Sequence, residues 1–341
     1  MNVASVRRRL LLSILLAVVV FGALLAYGDV RQMSSSLHDF RWELVPLLLL
    51  LSLGNYFLRF AKWHYYVREI GERDVTVRDN LLVFFSGLGM VITPGKVGEW
   101  VKSYFLKEMH GTPVTRSAPI LLAERLTDAL ALLIIAAAGV VVLGPEFWPV
   151  AAVVVVGAGV GVAATRHRPT AQALLRALSR LPVLRRFTPQ LNDFYESTFV
   201  VMRPSAVLSM TALSTLAWSC QVIAFYLTLV GLGVGGGGDT MLKAAFILPI
   251  STLVPALLLV PGGLGLADAG ITSLCTRLLD MQRAPATLAT LMIRLVTLWF
   301  AVLLGLAAFA VLTRRVGARE ETPMDDAERQ PLVARTGQTG I

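Results

Sequence analysis

Two cysteines in 341 residues rule out a disulfide scaffold, and both Cys220 and Cys275 sit in apolar runs, where packing is the ordinary role of a thiol. Histidine is nearly as scarce. His38, His64, His110 and His167 are scattered without HExxH-like spacing, so no metal is assigned and no cofactor is expected. Charge is sparse as well: 16% of residues are charged against 55% hydrophobic, and mean hydropathy is +0.68, which excludes an ordinary soluble domain. The period-2 alternation of a membrane barrel is also missing. What is present is a set of leucine-rich and β-branched runs of roughly 17 to 25 residues, the length of helices that close their own backbone hydrogen bonds in lipid. The expected fold class is an all-α polytopic membrane protein.

A formal net charge of +9 suggests nucleic acid in a soluble protein, but here the cations sit at the ends of apolar runs and report topology instead. No nucleic-acid partner is expected. Arg7 to Arg9 followed by the run Leu10 to Tyr27 has the outline of a signal peptide, yet the run exceeds the usual apolar core of one and reads as a retained first helix. Six full spans are expected, at 10–27, 44–61, 118–143, 148–165, 206–230 and 288–313. Two further apolar regions, 81–106 and 241–279, are interrupted. Their first halves end in TPGKVGEW, Thr93 to Trp100, and in VPGGLGLAD, Val260 to Asp268. In the first region each half is about 10–12 residues, at ~1.5 Å each enough to cross only part of a ~30 Å core, and the second has halves at 241–260 and 264–279. Both regions therefore read as re-entrant helical hairpins.

With the N-terminus cytoplasmic, the inner segments hold 21 lysines and arginines, Lys62 among them, and the outer ones hold five: Arg31, Arg41, Lys243, Arg277 and Arg283. That bias holds only if both hairpins return to the side they entered, and it makes both termini cytoplasmic in a cell (inner) membrane. The expected organisation is a first helix and external loop (1–43), a first unit (44–143), a helix and basic cytoplasmic linker (144–205), a second unit (206–313) and a disordered polar tail (314–341). The linker segment Arg166 to Arg186 could also lie on the anionic leaflet.

The two units repeat one another. Each has a span, a hairpin centred on Pro-Gly-x-x-Gly (Pro94 to Gly98; Pro261 to Gly265), a connector with a proline (Pro113; Pro285) and a span with an embedded Arg-Leu pair. Arg125 and Arg294 follow their prolines by 31 and 33 residues. The charge count gives the units opposite orientations, as in inverted-topology repeats. Proline and glycine break a helix in mid-membrane only where the freed backbone lines a polar cavity, and each new half-helix points N–H groups and a partial positive charge inward. Two such N-termini form an anion site. The competing view is that the Pro-Gly pairs merely kink full spans for packing.

Lys96, Glu99, Lys102, Glu124, Arg125, Asp128, Asp268 and Arg294 lie in or beside apolar segments, where each charge costs about 3 kcal/mol or more unless paired or hydrated. Glu124 and Asp128 share a helical face and could equally form a purely structural ion network. GVGVAA at Gly159 to Ala164 matches a dinucleotide pattern without a βαβ context, and Gly157 with Gly161 makes a better helix-packing pair. Gly233 to Asp239 reads as a flexible external loop.

The order TPGKVGEWVKSYFL, ERLTDALALL, PGGLGLADAG resembles the transmembrane region of lysylphosphatidylglycerol synthases and the related stand-alone flippase-like membrane proteins, over about residues 10–313. The resemblance implies a membrane protein that moves or handles a lipid with a phosphate-containing headgroup. The matched positions are Pro94, Gly95, Gly98 and Glu99; Glu124, Arg125 and Asp128; and Pro261, Gly262, Gly263 and Gly265. With Lys96, Asp268 and Arg294 from the charge pattern, these are the candidate substrate-binding residues. No catalytic residue is assigned. Asp268 stands where family members more often carry glutamate. The long soluble domain that performs aminoacyl transfer in full synthases is not expected of this chain, so synthase activity is not carried over. A lipid flippase or scramblase-like transporter leads, a lipid-synthesising enzyme being a possible partner. A membrane glycosyltransferase or transferase accessory acting on polyprenyl-phosphate lipids is the alternative, though the adjacent acidic pair Asp325-Asp326 falls in the polar tail. A non-transporting scaffold is the third reading.

Overall fold

The computed structural model describes residues 30–91, 97–143, 188–258 and 260–320, besides isolated positions 19, 22, 152, 156 and 159. All regular structure among the described residues is helical. The helices are α1 (Val30–His38), α2 (Val45–Glu69), α3 (Val77–Gly89), α4 (Val97–His110), α5 (Val114–Leu143), α6 (Thr188–Val201), α7 (Pro204–Gly231), α8 (Gly238–Leu257), α9 (Leu266–Leu278), α10 (Arg283–Arg294) and α11 (Phe300–Glu320). A π-helical turn, Leu295–Trp299, joins α10 to α11.

Among the described residues, four stretches are long and apolar enough to cross a membrane: Trp42–Glu69, Pro204–Gly231, Gly238–Ala256 and Arg283–Arg315. The spans expected at 10–27 and 148–165 lie outside the described residues. Both interrupted regions are two helices rather than one, α3 with α4 and α8 with α9. The α3 and α4 arms, 13 and 14 residues, are close to the expected half-length. The α8 arm, expected at 241–260, is longer: its 20 residues, at ~1.5 Å each, cover about 30 Å with Pro249 and Pro255 within it. At its C-terminus α11 continues to Glu320, past the start expected for the polar tail, and residues 321–341 lie outside the description.

Packing follows a reciprocal pattern. The spans α2 and α7 lie against each other, the hairpin arm α3 packs on α11 from the other half of the chain, and the arm α8 packs on α5. Small residues make these contacts close, as helix association in lipid favours. A Cβ on Gly305 would stand 2.0 Å from the Gly89 nitrogen, and one on Gly139 would stand 2.7 Å from the Phe246 Cβ. Between α2 and α7, Asn55 Nδ2 donates to the Ala217 carbonyl at 2.7 Å and accepts at Oδ1 from Gln221 Nε2 at 3.3 Å.

Ion pairs gather the chain ends of one side. Arg203 reaches Tyr65 Oη and Glu69, both at 2.9 Å; Arg116 lies 3.7 Å from Glu72; Arg315 lies 3.2 Å from Asp79. Segments before α3, after α4, before α7 and near the end of α11 thus meet at one end. At a different place, the Arg41 N–H donates to the Gly231 carbonyl at 3.2 Å, Phe40 seats against Gly231, and α1 packs on α10. Two hydrophobic cores result. One, built around Trp63, Tyr66, Phe84, Phe105 and Ile120, ends on α5 at Ala123 and on α7 at Met210. The other begins on α5 at Ala131 and on α7 at Trp218, and continues through α8, α9 and α10. The seam between them is polar.

Candidate anion site in the apolar core

Lys62 occupies that seam. Along α2, Arg59, Lys62 and Trp63 fall at i, i+3 and i+4 and share a face. The expected span ended at Ala61 and placed Lys62 on the cytoplasmic flank; helix α2 instead runs to Glu69, so Lys62 is fully buried and leaves the topology count. Its ammonium donates to Asp128 Oδ1 at 2.5 Å and Ser214 Oγ at 2.7 Å, with Thr127 Oγ1 at 3.3 Å and the Glu124 carbonyl at 3.5 Å. Asp128 also accepts from Ser214 Oγ at 3.1 Å and pairs with Arg59 at 3.3 Å. The Arg59 guanidinium stands 5.9 Å from the Trp218 ring. Three helices, α2, α5 and α7, therefore meet on one carboxylate.

A second pair adjoins it. Lys102 of α4 donates to Glu124 Oε2 at 2.6 Å, with its ammonium 4.2 Å from the centre of the Trp63 ring and 5.4 Å from that of Phe84. Its stem lies so close over Gly87 that a Cβ there would stand 2.6 Å from Lys102 Cγ. Lys62, Lys102, Glu124 and Asp128 are each at most 6% exposed. Among the described residues, Arg59, Lys62 and Lys102 are gathered on two carboxylates, those of Asp128 and Glu124. Arg125 lies on the same helix as both acids, half-buried, and its charge acts on Asp128. Buried cations in an apolar bundle are costly by themselves, and anionic groups offset them.

The second hairpin is built differently. Its turn puts Gly262, Gly263 and Gly265 at φ +56°, +68° and +81°, left-handed values that glycine adopts without strain, which accounts for the PGGLG sequence. Arg294, at the end of α10, holds the turn: Nε donates to Asp268 Oδ1 at 2.5 Å, and the two terminal nitrogens donate to the carbonyls of Gly262 and Gly263 at 3.2 and 3.1 Å. The other Asp268 oxygen accepts from the Gly265 N–H at 2.7 Å and caps α9. So the N-terminus expected to face an anion already has the chain's own carboxylate on it, and the arginine expected to grip a phosphate is committed to the turn. The surroundings of Arg294 adjoin the cluster on Asp128. Tyr56, one turn from Arg59, donates to the Thr297 carbonyl in the π-helical turn next to Arg294.

Of the remaining expected residues, Pro94, Gly95 and Lys96 lie outside the described residues. Gly98 and Glu99 fall in the first turn of α4, and Pro261 opens the second hairpin's turn. Arg59, Lys62 and Ser214 were missed from sequence. Two cations spaced i, i+3 inside NYFLRFAKWHYY were the available signal, obscured by ending the span early.

The description "Lysylphosphatidylglycerol synthase TM region" matches residues 10–305. The chain belongs to that family. Among curated proteins, a relative from Haloferax volcanii named "Glycosyltransferase AglD" is 24% identical over 316 residues, covering 82% of this chain and 50% of that protein. The chain spans about half the length of that relative. Membership in the lysylphosphatidylglycerol synthase transmembrane-region family agrees with the all-helical architecture and with helices long enough to cross a bilayer, and makes this an integral membrane protein.

Proposed function

We propose that the protein is a flippase-like transporter of a phospholipid or polyprenyl-phosphate-linked lipid, with the anionic headgroup received at the cluster of Arg59, Lys62, Lys102 and Arg125. The gathering of three buried or part-buried cations, Arg59, Lys62 and Lys102, at the seam between the two cores carries this reading. A phosphate meets such cations through charge-assisted hydrogen bonds while its acyl chains stay in the bilayer. Two inverted repeats, 44–143 and 206–313, frame the site. The exchanged packing of α3 on α11 and α8 on α5 supports them, because a two-fold axis in the membrane plane would exchange these two contacts. Arg116 with Glu72 and Arg315 with Asp79 keep both ends of the first hairpin at one end of the bundle, which supports its re-entrant path. From Arg283, the 12 residues of α10 carry Arg294 ~18 Å deep, where it meets the second turn. On this reading the first-hairpin ends, the basic linker and both termini are cytoplasmic in the cell membrane.

The named relative favours a second reading, a membrane glycosyltransferase or an accessory to one acting on polyprenyl-phosphate lipids. Purified protein in liposomes carrying fluorescent phosphatidylglycerol or a polyprenyl phosphate separates the two. Movement of the label between leaflets without chemical change is expected. Formation of a glycosylated product instead, with no movement, supports the transferase.

A further inference from the structure

Three buried carboxylates carry ion pairs in the bundle, and they are not held alike. The Asp128 carboxylate has Lys62, Arg59 and Ser214 on it; the Asp268 carboxylate has Arg294 and the Gly265 N–H. The Glu124 carboxylate has one hydrogen-bond partner among the described residues, Lys102. Yet the Lys102 ammonium is placed without Glu124. Its stem is packed over Gly87, and the ammonium itself lies over the rings of Trp63 and Phe84, which favour a cation there. A fixed cation with a singly held carboxylate is the arrangement in which another anion can exchange.

We infer that Glu124 is a tethered stand-in for the substrate's phosphate: its carboxylate occupies the anion position at Lys102, and an arriving headgroup displaces it. This rests on the anionic-lipid reading above and assigns Glu124 a role opposite to that of a binding residue. With the site empty, Glu124 keeps Lys102 neutralised in the apolar core, which a bare ammonium makes costly. With a headgroup bound, the carboxylate swings away and its repulsion of the phosphate weakens the complex. Release on the other side is then faster. Lys102 sits on the arm that leaves the first hairpin's turn and Glu124 on the span that follows, so the exchange unpins arm from span at each cycle. Asp128 does not serve in the same way, because moving it leaves Lys62 and Arg59 both without a carboxylate.

The two residues then have effects of opposite sign. Protein in nanodiscs is titrated with a short-chain phosphatidylglycerol and, separately, with the matching phosphatidylcholine, and translocation of the fluorescent phosphatidylglycerol is measured in liposomes. Glu124→Gln is expected to bind phosphatidylglycerol roughly tenfold tighter than the wild type, about one charge-assisted hydrogen bond that no longer has to be broken, while translocating it more slowly. Lys102→Gln loses the preference for phosphatidylglycerol, and Lys102→Gln/Glu124→Gln behaves like Lys102→Gln. Glu124→Asp, which keeps the charge but withdraws it by one methylene, moves affinity the same way by less and stands in if the glutamine protein does not fold. Unchanged or weaker phosphatidylglycerol binding by both Glu124 variants overturns the stand-in role; wild-type preference for phosphatidylglycerol then still leaves the transport reading in place. A wild type that neither prefers nor moves phosphatidylglycerol overturns both. If Glu124→Gln tightens binding of sodium phosphate alone and leaves the lipid unchanged, the position takes free phosphate and the headgroup proposal fails.

Discussion

At Lys62 the residue type, its depth and its partners all bear on one another. An ammonium that deep in an apolar bundle persists because Asp128, Ser214 and Thr127 surround it, and removing it leaves the buried carboxylate with Arg59 and Ser214 alone. Lys62→Met is expected to destabilise the protein by about 3–5 kcal/mol, read as a lower unfolding midpoint in detergent. Replacing both partners, Lys62→Met with Asp128→Leu, recovers only part of that loss, since it removes the half-paired carboxylate but leaves Arg59 without one. If the double variant is less stable than either single one, the pair is not the coupled unit described. Arg294 makes a different prediction from the one its sequence position suggests. Its guanidinium fork spans two carbonyls and a carboxylate, a geometry that a lysine ammonium does not reproduce. Arg294→Lys should therefore cost roughly 1–3 kcal/mol of stability while leaving the folded fraction's preference for anionic lipid intact. Loss of that preference with stability unchanged would show that Arg294 contacts substrate.

The helices meet at glycines, and those contacts set which elements move together. Because a Cβ on Gly305 falls 2.0 Å from backbone nitrogen at Gly89, Gly305→Ala must part α3 from α11, a change expected to cost about 1–3 kcal/mol. Gly159→Ala, at a position with nothing within 4 Å, is the comparison and should be neutral. Equal midpoints for the two proteins would mean that α3 and α11 do not touch there. The second turn has its own requirement. Gly262→Leu places a side chain at φ +56°, so transport should fall for a conformational reason while the helices on either side stay folded. Normal transport by the surviving folded protein would make that glycine a packing residue only. The Pro-Gly breaks were legible in sequence, and so was the length of the arm before the second one, expected at 241–260 and found as α8, Gly238–Leu257. The contacts of Gly305 with Gly89 and of Gly139 with Phe246 were not, since nothing in the local sequence says which helices meet.

Across the whole molecule, the prediction concerns sidedness. In a background without Cys220 and Cys275, a single cysteine at exposed Ser35 should label from outside, as should one at Asp239. Thr240, the neighbouring choice on sequence grounds, is buried with its hydroxyl on the Gly235 carbonyl and makes a poor probe. Cysteines at Ser179 and Thr336 should react only after permeabilisation. Labelling at Asp239 from the cytoplasmic side would remove the inverted arrangement and with it a site reached from both leaflets.

Composition and the length of apolar runs were enough to settle that this is a helical membrane protein, because a bilayer admits few ways to satisfy a backbone. The repeated Pro-Gly-x-x-Gly and the buried acids Glu124, Asp128 and Asp268 were likewise readable, since lipid makes any break or charge expensive and therefore conspicuous. Which charges belong together was decided only in three dimensions. Lys62 and Asp128 are 66 residues apart and Lys62 and Ser214 are 152 apart, so no periodicity links them. The two arginines that look equivalent in the repeats also part company there. Arg294 closes on its own turn, whereas Arg125 sits beside a carboxylate that two cations from α2 already hold, because pairing in a low dielectric goes to the nearest opposite charge and only packing determines which one that is.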